Sequence, residues 1–403
     1  MMENIEQYIN EKRMVQLLTA LVEIPSPYFQ EKEIMDFVYH WLLSNGLPAE
    51  YHLYHEEKIT DFQGANVIGR LKGNRRGTKI LLNGHLDTVQ ICEGWNRNPL
   101  AAQVEGDRLY GLGALDMKSG AAAILLAVDA FQKLVKDFSG EVIYTFVSDE
   151  EGPFGLGTDA LIVDEKVSDA DVAIVPEPSS GFCKVPFPSL CLGARGGWNY
   201  TVEVQGKSAH AANPEQGINA VVEASKIILE LEKASLGIDE KLGKGSICIL
   251  SLNGGGAACS VADSASFTVF RHVVRGEDQE YIKKEFEDAV RRANIYGTAR
   301  MSFRDAPHEK NAGFDPYIVP VEHLYTKKIL ESIRNTTGLS GNIQYFSSIG
   351  DFNYIATRLK IPTFVFGPSG ENYHGPDEYV SIDSAVTTAK VIFNFLLQTL
   401  TDC

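Results

Sequence analysis

Four short apolar runs of β type each end in side chains that bind metals or move protons. TKILLNG (78–84) leads into His85 and Asp87, EVIYTFV (141–147) into Ser148-Asp149-Glu150-Glu151-Gly152, ADVAIVP (170–176) into Glu177, and IPTFVFG (361–367) through PSGENY to His374. Helical stretches are predicted over 5–21, 31–44, 118–136 and 158–163, and again over 321–336 and 384–400. Strands alternating with helices imply an α/β fold, a mostly parallel sheet flanked by helices. In such sheets ligands gather at the carboxyl ends of the strands, so these distant residues are expected to converge. Asp116 joins them, because the glycine-rich turn in LYGLGALDMKSG hands over to a helix beside it.

The pattern changes in the middle of the chain. From Gly196 the order is strand, helix, strand, strand, helix, strand, through GWNYTVEVQG, NAVVEASKIILELEKA, SICILSL, SASFTVFRHVV, QEYIKKEFEDAVRRA and TARMSFRDA. This βαββαβ unit is ferredoxin-like and closes on itself as a domain of roughly one hundred residues. The boundaries read from it are a catalytic domain in two parts, 1–193 and 309–403, interrupted by a lid and dimerisation domain, 194–308. A length of 403 residues suits this division, being too large for one core.

Composition narrows the function. Lys+Arg 37 against Asp+Glu 53 gives a net charge of −16, a field that repels nucleic-acid phosphates and anionic lipid, so neither nucleic acid nor membrane is an expected partner. The cysteines, Cys92, Cys183, Cys191, Cys248, Cys259 and Cys403, form no CxxC pair and are read as free thiols in a reducing compartment. The opening MMENIEQYINEKR has no apolar core, and the apolar run near 120–128 stops at Asp129, short of a bilayer span. The expectation is a cytoplasmic protein.

The strand-end residues amount to two imidazoles and four or five carboxylates. That mixture suits zinc, cobalt or manganese and not calcium, which takes oxygen alone. One catalytic zinc needs three protein ligands, whereas His85, Asp116, Glu151, Glu177 and His374 serve two ions if Asp116 bridges them. Asp87 is placed to accept the second N–H of His85 and fix its tautomer. Glu150 is left without a metal and is the natural general base. Any one of these motifs alone reads as a solvated acidic loop or an ordinary histidine; their shared position at strand ends carries the argument. His52 and His55 lack HExxH spacing and are read as surface residues of an exposed strand, and Gly111-Leu112-Gly113 lacks the third glycine of a dinucleotide fingerprint.

These residues resemble the dizinc amidohydrolases and exopeptidases that include acetylornithine deacetylase, succinyl-diaminopimelate desuccinylase, aminoacylase-1 and glutamate carboxypeptidase. The matching segments run in order: NGHLDTV (83–89), LYGLGALDMKSG (109–120), SDEEG (148–152), PEP (176–178), GKSAHAANPEQGINA (206–220) and NYHGPDEY (372–379). The resemblance implies that His85, Asp116 and Glu177 hold one zinc, that Asp116, Glu151 and His374 hold the other, and that Glu150 is the base. It implies a cis peptide after Asp116, a homodimer formed through the lid, His210 as an oxyanion donor, and Arg271 as a grip on a substrate carboxylate. Cys259 and Ala262 stand where the family usually has a substrate-contacting asparagine and a proline, and SSIGDF (347–352) departs from the common Thr-Asp version.

The function expected is hydrolysis of the amide of an N-acyl L-amino acid. A dipeptidase or carboxypeptidase of the same chemistry is the nearest rival, so the expected partner is a small N-acyl amino acid or short peptide. A noncatalytic metal- or ligand-binding homologue is more remote. A phosphoesterase also uses paired metals but calls for more basic residues than Lys118 and Lys207.

Overall fold

The computed structural model describes residues 5–401, so Cys403 lies outside the described residues. In chain order the elements are α1 Glu11–Glu23, α2 Lys32–Ser44, β1 Glu50–Glu56, β2 Phe62–Lys72, β3 Arg75–His85, β4 Gln103–Glu105, β5 Arg108–Tyr110, α3 Ser119–Leu134, β6 Ser139–Val147, α4 Leu156–Val163, β7 Val172–Val175, α5 Ser179–Cys183 and β8 Ser189–Ala194. Next come β9 Gly196–Gln205, α6 Ala220–Leu231, β10 Ser246–Gly255, β11 Ser264–Val273, α7 Gln279–Ala293 and β12 Thr298–Phe303. The chain ends with α8 Leu324–Thr337, β13 Asn342–Phe346, α9 Asp351–Arg358, β14 Thr363–Val365, β15 Gly370–Glu371, β16 Tyr379–Ser381 and α10 Ile382–Thr401. It forms two compact units: one is the chain up to Ala194 and from Ile318 onward, the other is Arg195–Tyr317.

The first unit is built on a mixed, largely parallel sheet in the order β1-β2-β6-β3-β7-β14-β8, with β13 beside β8. Strands β6, β3, β7 and β14 run parallel, and their register levels their ends: His85 pairs with Val147, Leu82 with Ile174, and Val365 with Val175. Side chains that follow these strands therefore emerge at one edge. β6 is buried on both faces from Glu141 to Val147, as a strand covered on each side is. Helix α3 is buried from Ser119 to Phe131. Its one interior charge, Asp129, is fully buried and is neutralised by Arg13 at 3.0 Å and Lys133 at 2.6 Å.

A second, small sheet in the order β15-β16-β5-β4 was not anticipated from the sequence. It pairs Tyr379 with Tyr110 and Val380 with Leu109, so the loop carrying His374 and the turn leading to Asp116 leave neighbouring strands. β2, β8 and β13 were also not anticipated. β1 is a strand, as expected, but His52 is not on its exposed side. It is buried, with Nε2 2.8 Å from Asp164 and Nδ1 3.2 Å from Asn66 Nδ2.

The second unit has the βαββαβ order read from the sequence. Its sheet, β10-β11-β9-β12, is antiparallel throughout. Alternate residues of β9 and β11, among them Tyr200, Val202, Val204, Phe267 and Val269, pack against Ala224, Ile227 and Leu231 of α6 and Ile282, Phe286 and Ala289 of α7. Both helices start on side-chain caps, Asn219 accepting from Val221 N–H and Asp278 from Tyr281 N–H. The segment up to Tyr317 stays with this unit through paired backbone bonds between Gly197 and Phe314.

Arg271 requires a correction. It lies on the same inward face of β11 and is fully buried. Its Nε and Nη2 each reach Glu285 at 3.1 Å, Nη2 reaches Glu277 at 2.6 Å, and Nη1 reaches Glu277 at 3.4 Å and the His272 carbonyl. Every arm of the fork is engaged inside the unit, so this guanidinium is a core ion-pair residue and is not free to grip a substrate carboxylate. Arg271→Met strands two buried carboxylates and is expected to destabilise the protein by about 3–5 kcal/mol. Urea denaturation checks this; unchanged stability with a raised KM would restore a substrate-binding role.

Candidate metal centre

Two clusters of ligand atoms form at the level strand ends, and Asp116 belongs to both. His85, Asp116 and Glu177 make one; Asp116, Glu151 and His374 make the other, each with its ligand atoms within 4.8 Å of one another. His85 Nε2 lies 3.4 Å from both Asp116 Oδ1 and Glu177 Oε1. The second Asp116 oxygen, Oδ2, lies 3.3 Å from His374 Nε2, which is 2.9 Å from Glu151 Oε1. One carboxylate thus offers one oxygen to each imidazole.

Local structure explains each placement. His85 is the last residue of β3, Glu177 follows β7, and Glu150 and Glu151 sit in the turn after β6, which opens with Asp149 at φ +57°. His374 is itself left-handed, at φ +58°, inside the tight turn closed by Gly375 N–H to Asn372 O at 2.9 Å. The Asp116–Met117 peptide is cis. Gly113 turns the chain at φ +71°, with no room for a Cβ against Thr88.

Glu378, which sequence reasoning missed, ties the two ligand loops together. Its buried carboxylate accepts from Gly113 N–H at 2.8 Å, Leu115 N–H at 2.8 Å and Asp116 N–H at 3.0 Å. Its only sequence signal was its place in NYHGPDEY, four residues after His374.

Asp87 is placed close to His85, but its part differs in detail from the expectation. The nearer acceptor for His85 Nδ1 is the Asp87 backbone carbonyl at 3.1 Å, with carboxylate Oδ1 at 3.5 Å. Oδ2 instead accepts from Glu151 N–H at 2.8 Å, so Asp87 spans one ligand from each cluster. Glu150 Oε2 lies 3.9 Å from His85 Nε2, while Oε1 accepts from Asp351 N–H at 3.3 Å. Asp351, flagged for its altered surroundings, is buried and accepts from Thr158 Oγ1. Behind the acidic turn, Glu31 accepts from Asp149 N–H at 3.0 Å and Asn66 from Ser148 N–H at 3.2 Å.

Electrostatics describe a site short of positive charge. Burial pushes Glu177 up to about 8 and Glu151 to about 7, each helped by the charge on Asp116. Burial also pushes Glu150 well above the usual carboxylate range. Against opposing burial, Glu177 and Asp116 raise His85 far above its ordinary value, and Asp116 with Glu151 takes His374 up to about 11. Asp116 is held low by both imidazoles although burial works the other way. Lys118 adds no charge to the ligands: its buried ammonium donates to the Leu21 and Ile24 carbonyls at 2.9 and 3.0 Å, and burial lowers it to about 7.

The residues fit a pair of divalent cations. His85 Nε2 is buried between two carboxylates, with no hydrogen-bond partner among the described residues. The donors are imidazole nitrogen and carboxylate oxygen, three to a cluster, as zinc, cobalt or manganese accept.

In the second unit, His210 is exposed, and its Nδ1 accepts from Ala212 N–H at 3.1 Å. The two segments flagged there are neighbours: Ala211 N–H donates to Cys259 O and Val261 N–H to Ala209 O, both at 2.8 Å.

A mixed α/β sheet that presents two joined carboxylate–imidazole clusters, with a further carboxylate beside them, defines a metal-dependent hydrolase. The profile of peptidase family M20/M25/M40 matches residues 81–398, and the chain belongs to that family. Among curated relatives it is 27% identical over 333 residues to a succinyl-diaminopimelate desuccinylase of Sulfurovum, covering 82% of this chain and 86% of that one. Among solved structures it resembles a tripeptidase from Staphylococcus aureus, with TM-score 0.79, 24% identity and coverage of 97% and 99%. It also resembles the YXEP protein of Bacillus subtilis, described as a dinuclear metal-binding peptidase, with TM-score 0.67, 16% identity and coverage of 96% and 99%.

His374, raised to about 11, carries a proton at neutral pH when the chain's own charges act alone, and the facing His85–Glu177 pair, both raised, shares at least one more. Zinc must displace those protons. Loading of chelator-treated protein at pH 7 is therefore expected to release more than one proton, and affinity should rise with pH until the ligand groups are deprotonated. Calorimetry in buffers of different ionisation enthalpy checks the count; zero release would show the ligands already deprotonated.

Proposed function

We propose that this protein is a metal-dependent amidohydrolase that removes the acyl group from N-acyl L-amino acids. The observation that carries the reading is Glu150, a half-buried carboxylate near His85 that belongs to neither ligand cluster and is held by Asp351 N–H. His85, Asp116 and Glu177 would hold one divalent ion, and Asp116, Glu151 and His374 the other, with zinc preferred and cobalt or manganese compatible. Bound there, the ions supply Lewis-acid polarisation of the amide and lower the pKa of water. Glu150 takes the proton from the attacking water and returns it to the leaving amine. Asp87 orients His85 through its backbone carbonyl and Glu151 through its carboxylate. His210 is proposed to donate to the developing oxyanion.

A dipeptidase or carboxypeptidase is the second reading. The Sulfurovum relative bears a desuccinylase name and the Staphylococcus structure a tripeptidase name, so the substrate separates the two. With Arg271 engaged in the core, neither reading can lean on it for the substrate carboxylate. The engagement of Lys118 by backbone carbonyls supports an amide over a phosphate ester.

The cytoplasm is the proposed compartment, in keeping with five free thiols among the described cysteines and with no described helix long and apolar enough to cross a membrane. A homodimer is proposed through the second unit. There β10 is an edge strand with Leu250 and Leu252 56% and 44% exposed, a surface that pairing with a second copy would cover.

Three tests follow from this reading. A zinc- or cobalt-loaded sample given N-acetyl and N-succinyl amino acids beside dipeptides of the same C-terminal residue is expected to prefer the acyl compounds; preference for free-amine dipeptides selects the peptidase. Glu150→Gln should keep its metal and lose roughly 10²–10⁴-fold in kcat, and normal turnover removes Glu150 from the mechanism. Leu250→Glu with Leu252→Glu is expected to convert a dimer to a monomer by light scattering, and an unchanged mass would place any interface elsewhere.

A further inference from the structure

Two thiols meet behind the metal centre in the first unit. Cys183 ends α5 and is half-buried, Cys191 lies in β8 and is fully buried, and their Sγ atoms are 3.4 Å apart. Neither belongs to the ligand clusters. The connection to those clusters is short. Helix α5 begins two residues after Glu177, and Phe182, next to Cys183, stacks on Tyr373, next to His374, with ring centroids 4.4 Å apart at 26°. Phe182 also packs on Phe346 at 4.4 Å, and Cys191 pairs with Val365 at the end of β14, the strand that leads toward His374.

The two sulfurs differ in character. The hydrogen bond from Cys191 lowers the Cys183 thiol, while the same bond, together with burial, raises Cys191. Cys183 is thus the accessible nucleophile, and Cys191 the sheltered partner that resolves its oxidised form. A disulfide needs sulfurs about 2.05 Å apart, so the 3.4 Å gap closes by about 1.4 Å, which side-chain rotation and a small shift of the short α5 can supply.

We propose that Cys183 and Cys191 form a peroxide-responsive dithiol whose closure to a disulfide loosens the His374 side of the metal centre. The Cys183 thiolate attacks one oxygen of hydrogen peroxide; the O–O bond breaks, hydroxide leaves, and Cys183 becomes a sulfenic acid. The Cys191 sulfur then attacks the Cys183 sulfur, the S–O bond breaks, and the hydroxyl departs as water with the Cys191 proton. Overall two thiols give up two electrons and two protons, and peroxide becomes two waters. Closure draws the end of α5 toward β8 and carries Phe182 with it, off the Tyr373 ring. His374, whose side chain is 45% exposed, then loses the packing that steadies its turn.

The test uses the zinc-loaded full chain with Cys92, Cys248, Cys259 and Cys403 changed to serine, treated with one equivalent of hydrogen peroxide. Tryptic peptides 167–184 and 185–195 are expected to appear joined without reductant and separate with it. Zinc release to a chromogenic chelator should become roughly tenfold faster, the low end of what losing a supporting contact costs a metal ligand, and should return on reduction. Cys183→Ser should abolish both effects. Cys191→Ala should leave a sulfenic acid on Cys183 that a dimedone tag captures, with no cross-link. Absence of the joined peptides overturns the proposal, and so does a disulfide with unchanged zinc release. A chain that held no zinc before oxidation would overturn the metal-centre reading and the coupling with it, while the cross-link is read separately by mass.

Discussion

Glu378 accepts three backbone N–H bonds from the loop that presents Asp116, and so fastens the loop carrying His374 to the carboxylate shared by both clusters. The bond is costly as well as orienting. It adds one more carboxyl group, next to Asp116, to a unit that already gathers Glu150, Glu151 and Glu177 at its strand ends, and burial, opposed by the three N–H donors, pushes Glu378 up to about 8. Two imidazoles are too few to balance this set, and Lys118 is turned to the carbonyls at the end of α1. A fold that buries so many acids at one edge is stable in that form only with further positive charge, which is what a pair of divalent cations provides.

Topology supplies the crowd and two local devices refine it. Parallel pairing levels the ends of β6, β3 and β7, bringing His85, the Glu150–Glu151 turn and Glu177 together without any long-range adjustment. The fourth contribution needs more, because β14 ends nine residues before His374. The β15–β16 hairpin covers that distance, and its pairing with β5 places the His374 turn beside Gly113. Left-handed backbone at Asp149 and His374 then turns the chain sharply enough to point successive acids in different directions.

The strand-end pattern made the central sheet and the ligand set legible, since alternation of apolar runs and helices leaves few topologies and ligands collect at their carboxyl ends. The βαββαβ unit was legible for the same reason: the strict alternation of β11, with Phe267, Val269 and Val273 inward, survives in the sequence. What was hidden rested on partners rather than on patterns. Arg271 continues the inward alternation of β11, and only the positions of Glu277 and Glu285, contributed by a turn and a helix, show that its charge is matched inside the core. His52 is buried because Asn66 and Asp164 meet it from β2 and the end of α4. The strands β15 and β16 are two and three residues long, too short to show any period, and Glu378 is one acid among many until its three donors are seen.

Glu150 stands beside the two ligand clusters and belongs to neither. Limited solvent access and the charges of Asp351, Glu177 and Glu151 raise the energy of its carboxylate form, the character that the proposed proton-transfer role calls for. Here the surroundings are fitted to keep it in place. Asp351 N–H donates to it from the first turn of α9, and Gly350 leaves space where a Cβ would come within 3.1 Å of Oε1. Asp351 is in turn fixed by Thr158 in α4, so the helices on one flank of the sheet set the position of Glu150 while the strands set the ligands. The departure from the common Thr-Asp version at 347–352 falls on this support. It keeps Asp351, whose backbone N–H reaches Glu150 and whose carboxylate accepts from Thr158.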